Sequence, residues 1–260
     1  MMNTIAAAWQ LMNYQLFARK RLIIVFFLLF IPQVTAWYLS QKSGDYYEVY
    51  TDLVSGLLTM TLVPYLSLYV GTMVLGEEID GKTMVYLWTR PRGRTELLVL
   101  KWVFAALWAI LAIAAIAVLI YSTLFSIQSG DFARNIMMLV WDIRGLALGS
   151  LAFLALGFFL STIAKKALVI GLVYAFTWDN FARFMPGFLG KISIHHHMAI
   201  LTSHGDANMA KGFLALASTE KTTEPEAIIT LLIVTVLLVA AGAILLQHKE
   251  FSADDPARSQ

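Results

Sequence analysis

The sequence predicts an all-α integral membrane fold, a single domain over residues 1–260 that crosses the bilayer six times. Three observations lead there. Hydrophobic residues make up 59% of the chain and charged residues only 14%, with a mean hydropathy of +0.70, a balance outside the range of ordinary soluble chains. The apolar residues gather into six long runs, and the basic residues fall in alternate connections between them.

A helical run needs about 20 residues, at 1.5 Å each, to cross a hydrocarbon core of roughly 30 Å. The runs Leu22–Leu39, Leu53–Leu75, Trp102–Phe125, Gly145–Ile163, Ala167–Met185 and Ile228–Leu246 meet or approach that length. The fifth is the weakest, since Asp179, Asn180 and Arg183 interrupt it after Trp178. Basic connections are retained in the cytoplasm. Arg19, Lys20 and Arg21 precede the first run, Lys82, Arg90, Arg92, Arg94 and Lys101 follow the second, and Lys165 and Lys166 separate the fourth and fifth. The 41–52 connection is net acidic and the 127–135 connection neutral, so both face outward. Both termini, including the tail 247–260, are therefore expected inside the cell membrane.

Ahead of the first run, Ile5, Trp9, Met12 and Leu16 recur at helical spacing, which predicts an interfacial helix over residues 1–20 on the cytoplasmic surface. A signal peptide is the competing reading, because Val34-Thr35-Ala36 resembles a cleavage site. The apolar run continues past it through Trp37 and Tyr38, and the segment before it is unusually long for a signal. The long outer segment 179–225 opens on Met185-Pro186-Gly187, a helix break, and its mixed residues predict short helices dipping into the outer leaflet.

Charge and cysteine content exclude several chemistries. Net charge is only +2, which gives no basis for a nucleic-acid partner, and with no cysteine there is no disulfide or thiolate chemistry. Residues 76–83 match the phosphate-loop pattern G-x-x-x-x-G-K-[ST] letter for letter. The match is a coincidence on physical grounds. Glu77, Glu78 and Asp80 would sit beside the anion the loop must cradle, and the segment links two membrane runs instead of a strand and a helix.

Read without that pattern, the order Glu78, Gly81, Thr83, Leu87, Pro91, Arg94, Lys101 resembles the ABC-2 type transporter permeases. In that family an acidic turn, a G-T-x-x-x-L stretch, a P-x-x-R and a following lysine lie between the second and third spans. Lys82 stands between Gly81 and Thr83, a departure from the family pattern. The resemblance extends to the N-terminal amphipathic helix, the six spans and the short outer helices between spans five and six. It implies that residues 76–96 form a cytoplasmic coupling helix docked on a separate ABC ATP-binding subunit, with Glu77, Glu78, Thr83, Leu87, Arg90, Pro91 and Arg94 at the contact. It also implies half of an exporter's translocation path, completed by a second permease copy or homologue in contact with lipid, with no cofactor and with ATP hydrolysis left to the partner.

Other polar residues admit two readings each. His195, His196, His197 and His204 invite a metal site, yet three consecutive helical residues point about 100° apart. His197 and His204 share a face but lack a suitably spaced carboxylate, which favours capping and interfacial roles over a membrane-embedded metal-binding protein. Asp142 with Arg144 and Asp179 with Arg183 read as structural pairs at the outer interface, where water is near. Pro32 and Pro64 read as kinks, and Gly145, Gly149 and Gly157 with Ser150 as a close helix seam, possible with a second copy. A secondary transporter or channel is the remaining alternative, but it needs ionisable groups at mid-bilayer, and the run centres are nearly free of them.

Overall fold

The computed structural model describes residues 9, 19–42, 45–80, 94–126, 135–182, 192–202 and 222–248, and every regular element among them is helical. The helices are α1 (Arg19–Lys42), α2 (Tyr46–Asp52), α3 (Val63–Asp80), α4 (Arg94–Ser126) and α5 (Ile136–Ile163), followed by α6 (Ala167–Val173), α7 (Asn180–Ala182), α8 (Ile194–Leu201) and α9 (Glu224–His248). Two wide-turned stretches, π1 (Leu53–Leu62) and π2 (Tyr174–Asp179), continue α2 into α3 and α6 into α7. Four helical segments are long and apolar enough to cross a membrane: Tyr46–Gly76, Leu98–Phe125, Ile136–Ile163 and Glu224–Leu246. The apolar helix 167–179 is shorter. The first expected run lies within α1, whose 24 residues extend about 36 Å. That helix passes through Val34-Thr35-Ala36 without a break.

Two helices begin earlier than hydropathy alone predicts, and local capping explains both. Asp45 precedes α2, and its carboxylate accepts the amides of Tyr47 at 2.9 Å and Glu48 at 3.3 Å, so much of the expected outer connection 41–52 is helical. At the start of α9, the Glu226 carboxylate accepts the Thr223 amide at 2.9 Å, the reciprocal half of a capping box. π1 ends at Leu62, two residues before Pro64. That residue lacks an N–H and its ring crowds the carbonyl four residues back, so the regular ladder is broken there in any case. The Thr59 hydroxyl donates to the Val54 carbonyl five residues earlier, following the wider register.

The bundle is organised around α5, which packs against α3, α4, α8 and α9. The expected glycine seam is present, and it lies within the chain. A Cβ on Gly157 would come within 2.9 Å of the Leu68 carbonyl oxygen, and one on Gly71 would collide with the Leu154 carbonyl, so α3 and α5 touch backbone to backbone. Gly145 faces the end of α8 at Leu201 and Thr202, and Gly149 faces Met198. Small residues permit this approach, and in lipid it is dispersion and close packing that hold helices together.

Side-chain contacts give the bundle two distinct ends. Tyr50, Phe125, Asp142, Arg144, α8 and the start of α9 share one end. Val74 and Lys101 meet near the other, and Trp9 reaches toward that same half of α4, 5.2 Å from the Phe104 ring and 6.1 Å from that of Trp108. Trp37, Tyr38, Tyr47, Trp141 and Trp178 are exposed on elements that reach the first end, the placement of an interfacial aromatic belt.

The seam predicts a contrast between two glycines. Gly157→Leu should lower the melting temperature of the purified protein, since overpacking costs about 1–3 kcal/mol. Gly56→Leu, at a position with no atom within 4 Å of an added Cβ, should melt near wild type. Thermal unfolding in detergent, followed by near-ultraviolet circular dichroism, checks both.

Candidate functional site

The candidate site is the polar segment between α3 and α4, with the helix ends that present it. The apolar helix ending the second run continues past the membrane-length segment to Asp80, so Glu77 and Glu78 stand on its last turns. Arg94 opens α4. Thr83, Leu87, Arg90 and Pro91 lie outside the described residues. Gly76–Asp80 continue a helix, whereas a phosphate loop must follow a strand, which agrees with rejecting nucleotide binding there.

Lys101 is the best-defined polar group on this side. It is fully buried, and its Nζ donates to the Val74 carbonyl at 3.0 Å, linking α4 to α3 below the segment. Its position was legible as the lysine heading the third run. Its inward direction was not, because a lysine near a span end ordinarily extends its stem toward water.

At the opposite end the charged residues are placed differently from the expected pairs. Asp142 is fully buried within α5 and does not face water; it accepts a hydrogen bond from the Tyr50 hydroxyl at 2.9 Å. Tyr50 packs its ring edge-on against Tyr121 and Phe125, each 5.7 Å away. Arg144 turns to the last helix, bonding Glu224 at 3.0 Å while lying 4.0 Å from the centre of the Trp141 ring. Residues two apart on a helix point to opposite faces, so the Asp142–Arg144 pairing gives way to these longer-range partners.

Asp179 is likewise fully buried, and it caps α8. Its carboxylate accepts the amides of Ile194 at 2.8 Å and His195 at 3.1 Å, and meets His195 Nδ1 at 2.5 Å. Ser193 completes the cap by accepting the His196 amide at 3.1 Å while donating to the Asp179 carbonyl at 2.9 Å. The expected Asp179–Arg183 partnership cannot be followed, because Arg183 lies outside the described residues. Two amides at the helix start, with the positive end of the helix dipole, supply the compensation that a buried carboxylate needs.

The described histidines have separate surroundings, and His195 meets the carboxylate that caps α8. His195 joins Asp179, His196 Nε2 lies 3.3 Å from the Thr222 hydroxyl, and His197 is buried on α8. His204 lies outside the described residues. Among the described residues no group of three or more His, Cys, Asp or Glu side chains is placed to hold a metal ion.

The frame is thus a helical membrane bundle with two buried polar clusters at one end and the ends of α3 and α4 at the other. The sequence pattern of the ABC-2 family transporter proteins matches residues 17–178, more than half of the chain. The chain belongs to the ABC-2 transporter family. No match was found among curated proteins. As an ABC-2 permease it is a membrane-embedded transport component, in a family that works with ABC ATP-binding subunits. The match spans the whole segment between α3 and α4 and ends one residue before Asp179, so the α8 cap falls beyond it.

Asp179→Ala should leave the Ile194 and His195 amides without acceptors, at a cost of about 1–3 kcal/mol. Hydrogen exchange by mass spectrometry should show faster exchange in peptides covering 193–201 and little change in α5.

Proposed function

We propose that this protein is the permease subunit of an ATP-driven exporter, forming half of a translocation path whose other half is a second copy or a homologous chain. α1, the segments Tyr46–Gly76, Leu98–Phe125 and Ile136–Ile163, the helix begun at α6, and α9 make the six crossings. Basic residues beside α1, between α3 and α4 and at Lys165 and Lys166 place those ends, with both termini, in the cytoplasm of the plasma membrane. The exposed aromatic residues at the opposite end support a membrane–water interface there.

The observation that carries the reading is the family match across the segment joining two membrane-length helices. Residues 76–96 act as a coupling helix gripped by a separate ATP-binding subunit. Glu77 and Glu78 answer basic groups on that partner, Thr83, Leu87 and Pro91 shape the contact, and Arg90 and Arg94 anchor it against partner acids and lipid phosphates. Closure of paired ATPase subunits draws the coupling helices of the two permeases together, and the attached α3 and α4 tilt with them. A secondary transporter would instead need a buried carboxylate available to a coupling ion. The ones described here are engaged, Asp142 with Tyr50 and Asp179 with the cap of α8.

Charge reversal provides the functional test. Glu78→Lys or Arg94→Glu should insert normally yet reduce transport per ATP hydrolysed by about tenfold, equivalent to losing one charge-assisted contact. Transport and ATPase stimulation equal to wild type in reconstituted vesicles would remove the assigned role of this segment.

Sidedness has its own check. The chain has no cysteine, so Met84→Cys introduces a unique thiol. It should react with an impermeant maleimide in inverted vesicles and stay unlabelled from outside intact cells; labelling from outside would rule out a cytoplasmic coupling helix.

A further inference from the structure

We infer that Lys101 is a positioning residue, a strap that locks the axial register of α3 and α4 at the base of the coupling segment so that a push on the segment moves both helices as one lever. The inference rests on the permease reading and adds to it the element that carries the force inward.

The geometry comes first. Lys101 and Val74 are 27 positions apart in sequence, and the bond between them closes the chain into a loop that contains the coupling segment. From Val74 to the end of α3 at Asp80 is about 9 Å of helix, and from Arg94 to Lys101 about 10 Å. Two short helical stubs therefore project beyond the bond, with residues 81–93 joining their tips. The acceptor is placed for coupling. In the register of α3 the Val74 carbonyl also accepts the amide of Glu78, so the ammonium bonds to the turn that carries the acidic pair.

Chemistry sets this lysine apart from its neighbours. Leu75 and Leu98, also buried here, hold α3 and α4 together by apolar contact, which resists separation but is not directional and lets one helix slide along the other. A hydrogen bond from a charged donor is short and directional, so it resists sliding. Burying an ammonium is costly, and a methionine would fill a similar length without that penalty. Packing alone gives no reason for a cation. The ordinary fate of a lysine near a span end is to extend to the interface, whereas this side chain is fully buried and bonded to the neighbouring helix.

The test uses the full permease with the ATP-binding subunit that co-purifies with it, reconstituted in vesicles. Spin labels at Asp80→Cys and Thr95→Cys, unique in a cysteine-free chain, report the separation of the stub tips by pulsed electron resonance, on the permease alone and in the complex. The unaltered Lys101 background should give one narrow distance. Lys101→Met should broaden it, Lys101→Arg, which keeps the cation and the reach, should leave it narrow, and transport per ATP should fall about tenfold in the methionine variant only.

An unchanged width in Lys101→Met, or equal broadening in both variants, would overturn the strap. A broadened distance with unchanged transport per ATP would overturn its part in transmission. A wild-type complex lacking ATP-driven transport would sink the exporter reading on which transmission rests, while the widths, measured on the permease alone, would still decide the strap.

Discussion

The backbone contact between α3 and α5 is the constraint on which the other placements depend. Gly71 and Gly157 let the two helices meet at the Leu154 and Leu68 carbonyls, with no side chain between them. In water such a pair would be held largely by expulsion of solvent, but lipid tails are as apolar as leucine, so the attraction must come from dispersion at close range. Once α3 and α5 are joined, α4, α8 and α9 take the remaining faces of α5. At Gly242 the same economy of space recurs, where an added Cβ would press within 2.8 Å of the Phe158 ring.

Polar groups that enter this bundle obey a second constraint, since an unsatisfied donor or carboxylate has no water to fall back on. Among the described residues, the buried Asp142, Asp179 and Lys101 are each met by a partner from another element. Asp142 of α5 meets Tyr50 of α2, Asp179 of π2 meets the start of α8, and Lys101 of α4 meets a carbonyl of α3. Gln33 of α1 bonds Thr123 of α4 in the same way, tying the first helix to a bundle it touches on few other elements. These contacts fix which helix ends lie together, a matter on which apolar surfaces alone are indifferent.

Four of the spans and the helical class of the described residues were legible because hydropathy and length are local properties, and a run such as Trp102–Phe125 has no other stable home. The family was legible too, from the residues between the second and third runs. Two helix starts were legible in principle, for Asp45-x-x-Glu48 and Thr223-x-x-Glu226 are capping-box spacings, but hydropathy falls off before the helices do and hides them. Glycine signalled close approach without naming the partner. A seam with a second copy and a seam with α3 or α8 ask for the same small residues, and only the fold separates them.

Partners distant in sequence were the part that could not be read. The expected pairs, Asp142 with Arg144 and Asp179 with Arg183, came from local spacing and from assuming nearby water. Both carboxylates are fully buried, where spacing matters less than the number of donors within reach. For Asp179 the amides of Ile194 and His195 and the His195 ring converge on one carboxylate, a set of donors that a single arginine side chain does not replace.

This division bears on how motion would pass through the permease. α3 runs without a break from its glycine contact with α5 to the acidic pair at Glu77 and Glu78, so a displacement applied beyond Asp80 would reach the packed centre through continuous helix. Beyond that contact the same rod changes character at π1, ten residues of wider turns ending two residues before Pro64. Wide turns and a proline lose regular ladder bonds and bend more readily than α-helix. The half of this rod beside Lys101 is thus built to transmit and the half beyond the glycine contact to yield. Tyr50, just past π1, is held to α5 through Asp142, which places the compliant stretch between two fixed points, where a tilt of α3 would be absorbed or released.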